Sequence, residues 1–234
     1  MVKVIVIIPA RGGSKRIPKK NIINFYDKPM IAWTIEAAIK SGITFNSSTD
    51  IVVSTDDEEI AQVSKDFGAN VPFLRDKHND DHSTISQATI YTLEEIEKRT
   101  NKKYDIVVQL MANCPIRNQV DIRNAYENFI NNDSNFQISC FKFGWMNPWW
   151  ACKLNDKSSP EFIFPEALKK RSQDLDDLYC PTGAIWIANV KDLKKEKTFY
   201  GKSLTFFPID WTSAVDIDDY KDLEMAKSIF NLQN

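Results

Sequence analysis

The residues best suited to chemistry form a segment near the N-terminus, which we call the basic loop (residues 11–21). It follows an apolar run and reads RGGSKRIPKKN, so that two adjacent glycines stand among five basic side chains. Glycine allows close approach of the backbone to a ligand and positive φ angles, and exposed amides beside fixed cations suit a polyphosphate. The spacing matches neither the P-loop nor the Gly-x-Gly-x-x-Gly fingerprint. The residues alone leave open a polyphosphate-binding loop and an ordinary solvated loop.

Asp216 and Asp218 are candidate metal ligands near the other end of the chain. In a strand, residues two apart point to the same side, so both carboxylates would face one space while Ile217 packs inward. Two carboxylates together with phosphate oxygens make an ordinary magnesium site. The alternative is a segment that caps the following helix through Asp218 or Asp219. A polyphosphate needs a counter-cation, so the basic loop favours the metal interpretation.

Two other polar groups could contact ligands. Gln109 and the segment 113–117 (NCPIR) follow an apolar run, where amides could bind a base or hydroxyl groups or could simply form a turn. Residues 169–174 (KKRSQD) could bind a second anion, such as a substrate carboxylate, or could form a solvated helix face.

Apolar runs alternate with helical patterns through the first ~140 residues, which predicts an α/β fold with a mostly parallel sheet flanked by helices. The predicted strands are 4–8, 51–55, 70–74, 106–110 and 136–143, and the predicted helices are 58–67, 84–98 and 121–130. In such folds, ligands bind beyond the carboxyl ends of the strands. We therefore expect the basic loop, residues 56–57 and residues 111–117 to meet at one crevice.

Residues 144–179 interrupt this alternation and contain Trp145, Trp149 and Trp150 among several prolines. We interpret them as an excursion from the sheet, in which the tryptophans form pocket wall, core or subunit contact. Strands at 183–187 and 204–209 and a helix at 219–230 would then complete a single domain over residues 1–234.

The composition and the apolar pattern give no reason to expect a nucleic-acid partner, a membrane span or a signal peptide. A formal net charge of −2 gives no reason to expect nucleic-acid binding, and the chain lacks the ~20-residue apolar run of a membrane span. The N-terminus lacks the apolar region of a signal peptide, so we expect a cytoplasmic protein. Four widely spaced cysteines without a Cys-x-x-Cys pair are expected to be reduced thiols.

Taken in order, these motifs resemble the acylneuraminate cytidylyltransferases, the CMP-sialic acid synthetase family. Residues 7–15 with Lys20-Asn21 are similar to the family's N-terminal signature, and the likeness continues along nearly the whole chain. Its later parts are Val53-Ser54-Thr55-Asp56, Gln109 with Cys114-Pro115-Ile116-Arg117 (for Gln-Pro-Thr-Ser-Pro-Leu-Arg), Arg171-x-Gln173-Asp174, Gly183-Ala184-Ile185-Trp186 and Asp216-Ile217-Asp218.

The resemblance implies a reaction in which the anomeric hydroxyl of a 2-keto-3-deoxy sugar acid attacks the α-phosphate of CTP and pyrophosphate leaves, with Mg²⁺ as cofactor. It implies a Rossmann-like fold of the nucleotide-diphospho-sugar transferase type, with residues 144–182 as a protruding segment that joins a homodimer. It also assigns residues. CTP would contact Arg11, Gly12, Gly13, Ser14, Lys20, Asn21, Ser83 and Thr84; the sugar acid would contact Gln109, Arg117, Arg171 and Gln173; Asp216 and Asp218 would bind Mg²⁺; and Arg11, Lys20 and Asp218 would be catalytic.

The departures from the family pattern fall on the acceptor side of the expected site. They are Met111-Ala112-Asn113 before Cys114, Thr182 before Gly183, and Trp149-Trp150. N-acetylneuraminic, legionaminic and pseudaminic acids are therefore all open as acceptors. Two alternatives also remain at this point: a related nucleotidyltransferase that uses Kdo or a sugar 1-phosphate, and a catalytically silent nucleotide-binding protein.

Overall fold

The computed structural model describes residues 2–45 and 47–233. The strands, in chain order, are β1 (Val4–Pro9), β2 (Asn24–Phe25), β3 (Lys28–Pro29), β4 (Ile51–Ser54), β5 (Ile106–Leu110), β6 (Phe136–Lys142), β7 (Cys152–Leu154), β8 (Pro160–Phe162), β9 (Tyr179–Asn189) and β10 (Leu204–Pro208). The α-helices are α1 (Met30–Ser41), α2 (Glu58–Asp66), α3 (Ile85–Thr100), α4 (Gln119–Asn131), α5 (Val190–Glu196) and α6 (Tyr220–Gln233).

The central sheet has six strands in the order β10-β6-β9-β5-β1-β4. β1 lies parallel to both β4 and β5, and β6 lies parallel to β10. β9 runs antiparallel to both of its neighbours. This arrangement confirms the prediction of a mostly parallel sheet, and it brings the carboxyl ends of the five other strands to one edge.

Helices cover both faces of this sheet because the strand side chains alternate between two apolar cores. Val4, Val6 and Ile8 of β1 pack with α1, α2 and α4 on one face, while Ile5 and Ile7 pack with α3 and α5 on the other. Every residue of β1, β4 and β5 is buried. Burial of a large aliphatic side chain contributes roughly 1.5–3 kcal/mol, so these layers hold the sheet edge in place.

A third, smaller core joins the two ends of the chain. Ile17 and Phe25 from the N-terminal part pack against Val215 and Ile217 and against the buried face of α6. This packing brings the basic loop and residues 216–218 into the same region, although they are about 200 residues apart in sequence.

Two predictions about local structure are wrong. Residues 70–74 form a single parallel bridge, Asn70 with Val52, in place of a strand, because Pro72 has no N–H to donate to a ladder. Residues 215–218 are irregular and not a strand. The expected pattern of side chains nevertheless holds there, because Ile217 is fully buried between the more accessible Asp216 and Asp218.

The excursion between β6 and β9 carries a small antiparallel hairpin, β7–β8, whose residues are all exposed. Trp145, near the start of the excursion, is 88% exposed. In the part of the chain that the structure describes, no helix combines the length and apolar character that a membrane crossing requires.

Candidate active site

A cleft of about 510 Å³ opens at the carboxyl edge of the sheet. Pro9 closes β1 at its floor, and Met111 and Asn113 follow β5 beside it. The remaining walls come from the basic loop, the segment 75–84 and the start of α3. The predicted site residues that line this cleft are Arg11, Ser14, Lys20, Asn21, Ser83, Thr84 and Asp218.

Gly12 of the basic loop is needed for a close approach to Asp57, and neither Gly12 nor Gly13 is needed for an unusual backbone angle. The positive-φ glycines in the described chain are Gly42 and Gly68, so the expected positive φ at Gly12 and Gly13 does not occur. The Gly12 amide donates a 2.9 Å hydrogen bond to Asp56 Oδ1. A Cβ at Gly12 would lie 2.8 Å from Asp57 Oδ2, whereas a Cβ at Gly13 would meet nothing within 4 Å. Asp56 thus holds the Gly12 backbone by a hydrogen bond, and Asp57 packs closely against it.

Acidic side chains pair with the cations of the basic loop. Arg11 lies 2.7 Å from an Asp81 carboxylate oxygen, and Lys15 pairs with the other oxygen. Hydrogen bonds from Lys15 and Arg11 are the main reason that the pKa of Asp81 is lowered. A polyphosphate entering the cleft would compete with this carboxylate for the same cations.

Asp218 holds the other end of the basic loop. Its carboxylate accepts from Lys20 Nζ at 2.7 Å and from an Arg16 guanidinium nitrogen at 2.6 Å. Burial raises the pKa of Asp218, but the hydrogen bonds and charges of Lys20 and Arg16 together outweigh it, so the pKa is lowered overall. The Lys20 side chain is only 15% exposed, so its charge acts with little solvent screening.

Asp216 lies beside the cleft, next to Asp218. Its carboxylate accepts a hydrogen bond from Asn113 Nδ2. Asp216 as a residue is exposed, but the protein around its carboxylate partly desolvates the charge, and this desolvation, followed by the negative charge of Asp218, raises the pKa of Asp216 to about 6. Two carboxylates that repel one another in this way are a suitable donor set for a divalent cation.

The described residues contain no group of three or more Asp, Glu, His or Cys side chains that could hold a metal alone. Phosphate oxygens and water would therefore complete the coordination, as is usual for Mg²⁺. The capping interpretation also holds, because Asp219 Oδ1 accepts from the amides of Lys221 and Asp222 at 2.8 and 3.1 Å. Helix capping thus falls on Asp219 and leaves the carboxylates of the two candidate metal ligands, Asp216 and Asp218, out of the cap.

The start of α3 forms another wall of the cleft. Thr84 caps this helix through a 3.2 Å hydrogen bond from the Gln87 amide. Ser83 Oγ donates to Asp80 Oδ2 at 2.9 Å. The N-terminus of a helix carries a partial positive charge, which suits an anionic or polar ligand in the cleft.

Arg75 is a cleft residue that the sequence reasoning missed. Arg75 is 3% exposed. Its Nη1 donates to the backbone oxygen of Ser54 at 3.0 Å and to the Ser54 hydroxyl at 2.7 Å. Its Nε has no partner in the structure. Burial is the main cause that lowers its pKa, against the opposing charge of Asp56. Its only sequence signal was an isolated arginine between apolar and acidic residues.

Four predicted acceptor-side residues lie outside the cleft. Gln109 is fully buried in β5 and neither of its amide atoms has a partner; Met111, two positions later, lines the cleft instead. Arg171 is exposed and pairs with Asp174 at 2.7 Å, and Gln173 is exposed beside it.

Arg117, the fourth, is 1% exposed. It donates to the Ala184 oxygen at 2.6 Å and to Thr34 Oγ1 at 2.8 Å. Burial lowers its pKa to about 10. In this structure Arg117 therefore holds the turn after β5 against β9 and α1, and the acceptor contacts assigned to these four residues stay predictions.

Similarity to known proteins extends over nearly the whole chain. The pseudaminic acid cytidylyltransferase of Campylobacter jejuni (strain 81-176) is 38% identical over 233 residues, which cover 99% of this chain and 98% of that protein. The CMP-N,N'-diacetyllegionaminic acid synthase of Legionella pneumophila is 31% identical, covering 98% and 97%. The N-acylneuraminate cytidylyltransferase of Streptococcus agalactiae (strain NEM316) is 32% identical, covering 94% of this chain and 51% of that protein.

Solved structures share the fold at low sequence identity. The structure of CMP:2-keto-3-deoxy-manno-octonic acid synthetase complexed with CTP matches with a TM-score of 0.70 at 15% identity, covering 99% of this chain and 100% of that one. The expected Rossmann-like nucleotidyltransferase fold is thereby confirmed. The family model described as cytidylyltransferase matches residues 5–228. The chain therefore belongs to the cytidylyltransferase family.

Proposed function

We propose that the protein transfers CMP from CTP to the anomeric hydroxyl of a nonulosonic acid and releases pyrophosphate. The observation that carries this proposal is the meeting of Arg11, Lys20 and Asp218 at one cleft, where three loops leave the carboxyl edge of the sheet. The relatives that share 31–38% identity over nearly the full chain act, by their names, on pseudaminic and legionaminic acids.

The basic loop would hold the triphosphate. Arg11 and Lys20, together with the backbone of residues 12–14, would neutralise the phosphates and the charge that develops on the leaving pyrophosphate. Asn21, whose Nδ2 donates to the Arg11 backbone oxygen at 3.0 Å, would keep the loop in this shape. Ser83 and Thr84 would bind the nucleoside side from the start of α3.

Asp216 and Asp218 would hold a Mg²⁺ ion. When bound, the ion would neutralise phosphate charge and increase the electrophilic character of the reacting phosphate. Asp218 pairs with Lys20 and Arg16 in this structure, so these cations would turn toward the phosphates when the carboxylate binds metal.

We propose pseudaminic acid as the acceptor to test first, since the two relatives at 38% and 37% identity carry that substrate in their names. Gln109, Arg117, Arg171 and Gln173 remain our candidates for the acceptor side. Arg171 lies on the protruding segment and does not line the cleft of its own chain. We therefore propose a homodimer in which residues 144–182 contact the second subunit.

We further propose that residues 1–234 act as one catalytic domain in the cytoplasm. The four cysteines are free thiols in the structure, which suits a reducing compartment.

A screen of acceptors with pyrophosphate release as the readout tests the proposal. We expect turnover with CTP, Mg²⁺ and a nonulosonic acid, and little with UTP, with EDTA, or with a sugar 1-phosphate. Asp218→Asn, which keeps the side-chain shape, should lose most of the turnover. Pyrophosphate release with a sugar 1-phosphate alone would replace the proposed acceptor class, and CTP binding without turnover on any acceptor would contradict the proposed reaction.

A further inference from the structure

Asn113 joins the end of β5 to the segment that carries the two metal-binding candidates. Its backbone oxygen accepts a 3.0 Å hydrogen bond from the amide of Ile217. Its side-chain Nδ2 donates to the Ile217 backbone oxygen, also at 3.0 Å, and to Asp216 Oδ1. The pairing with Ile217 imitates one rung of a sheet ladder, in which the side-chain amide takes the place of a backbone N–H.

This pairing sets the orientation of Asp216. Residues 215–218 have no strand partner of their own in the structure, and Asp216 is followed by Ile217, which is fully buried. The Asn113 N–H occupies one lone-pair direction of Asp216 Oδ1. The other carboxylate oxygen, Oδ2, and the second lone-pair direction of Oδ1 are left to bind a cation.

Asn113 is itself held by a rigid turn. Thr34 Oγ1 lies 3.3 Å from the Met111 oxygen and 3.5 Å from the Ala112 oxygen, and Arg117 donates to both Thr34 Oγ1 and the Met111 oxygen. Thr34, Arg117 and Asn113 are all buried. A side chain fixed in this way can hold the carboxylate that it contacts in one orientation.

We propose that Asn113 is a positioning residue that orients Asp216 for the divalent cation. The inference rests on the metal role that the proposed function gives to Asp216. The amide suits the task because it donates to the carboxylate but carries no charge that would repel a cation. Residues that orient metal ligands typically change metal affinity by about 10–100-fold when they are mutated.

Binding of Mn²⁺ alone, measured by the loss of the free-ion EPR signal, tests this role without turnover. We expect Asn113→Ala to raise the Mn²⁺ dissociation constant about tenfold or more, and Asn113→Ser, which keeps one donor, to fall between it and the wild type. Asn118→Ala is the matched control. Asn118 caps α4 with hydrogen bonds from two amides, so its loss destabilises the fold nearby but should leave Mn²⁺ binding unchanged.

The outcomes separate the inference from the function on which it rests. If the wild type and Asp216→Asn bind Mn²⁺ equally, the metal assignment fails and the inference falls with it. If Asp216→Asn loses binding while Asn113→Ala retains wild-type affinity, the positioning role alone is overturned. The positioning role would also be overturned if Asn113→Ala weakened CTP binding in EDTA by the same factor as it weakened Mn²⁺ binding. Asn113 would then act on the nucleotide.

Discussion

Replacement of Lys20 by methionine should abolish most of the catalytic activity, whereas the same replacement of Lys19 should not. The two lysines are adjacent in sequence, and methionine keeps most of the aliphatic stem of each. Lys20 lines the cleft, lies 2.7 Å from Asp218 Oδ1 and has a side chain that is 15% exposed. Lys19 pairs with Glu59 outside the cleft and has a side chain that is 62% exposed.

The expected magnitude follows from this difference in exposure. Two unit charges about 4 Å apart interact by about 4 kcal/mol at an effective dielectric constant of about 20. Loss of one group that stabilises developing charge in such a site lowers kcat by about 10²–10³-fold. We therefore expect a loss of this size in kcat/KM for Lys20→Met. For Lys19→Met, solvent screening should keep the loss below about fivefold.

Steady-state pyrophosphate release at several CTP concentrations is the assay, with thermal unfolding of each variant as the control for folding. Lys20→Arg should recover part of the activity, because it restores the charge with a different shape. Equal losses for Lys19→Met and Lys20→Met, or a Lys20→Met variant within threefold of the wild type, would refute the assignment of Lys20 to the triphosphate.

Three further predictions concern the basic loop, the acidic residue that pairs with it, and a buried ion pair. Gly12→Ala should raise the KM for CTP by about tenfold or more, because overpacking shifts the loop, whereas Gly13→Ala, with open space around the new Cβ, should not; equal effects would contradict this. Asp81→Asn should lower the KM for CTP about twofold to fivefold by freeing the cations that it pairs with; a higher KM would contradict the competition. Glu97→Gln should lower the free energy of unfolding by about 1.5–3 kcal/mol at pH 7, because Glu97 is 4% exposed and lies 2.6 Å from Lys194. Burial raises the pKa of Glu97, but its lysine partners lower it overall, so the wild-type advantage should shrink as the pH falls below the ordinary value of 4.5; an advantage that stays constant with pH in urea titrations would contradict this.

Local patterns were sufficient for most of the elements of the sheet. The apolar runs predicted β1, β4 and β5 within one residue, because buried parallel strands have near-continuous apolar sequences. Helix α1 is not among the predicted helices, although Pro29 stands before it and Gly42, with φ of 73°, ends it. Residues 70–74 have strand-like composition, but hydrogen bonding around Pro72 decides their structure.

The site was less accessible from sequence, because its contacts join distant parts of the chain. The pairing of Arg16 with Asp218 spans 202 residues, and no local periodicity indicates it. The sequence indicates Asn113 as a possible contact for a base or hydroxyl group and as a departure from the family pattern, but its pairing with Asp216 is visible only in the structure. Gln109 and Met111 show the same limit, because two positions along one strand end decide which side chain reaches the cleft.

The central claim is that this cleft transfers the α-phosphate of CTP to a sugar acid. Parallel reactions with CTP labelled at the α- or the γ-phosphate, in the presence of Mg²⁺ and pseudaminic acid, test it directly. We expect the α-label to move to a CMP-sugar and the γ-label to pyrophosphate, in equal amounts. An α-label that stays in CTP, or that appears only in CMP or CDP with every nonulosonic acid tested, would contradict the account.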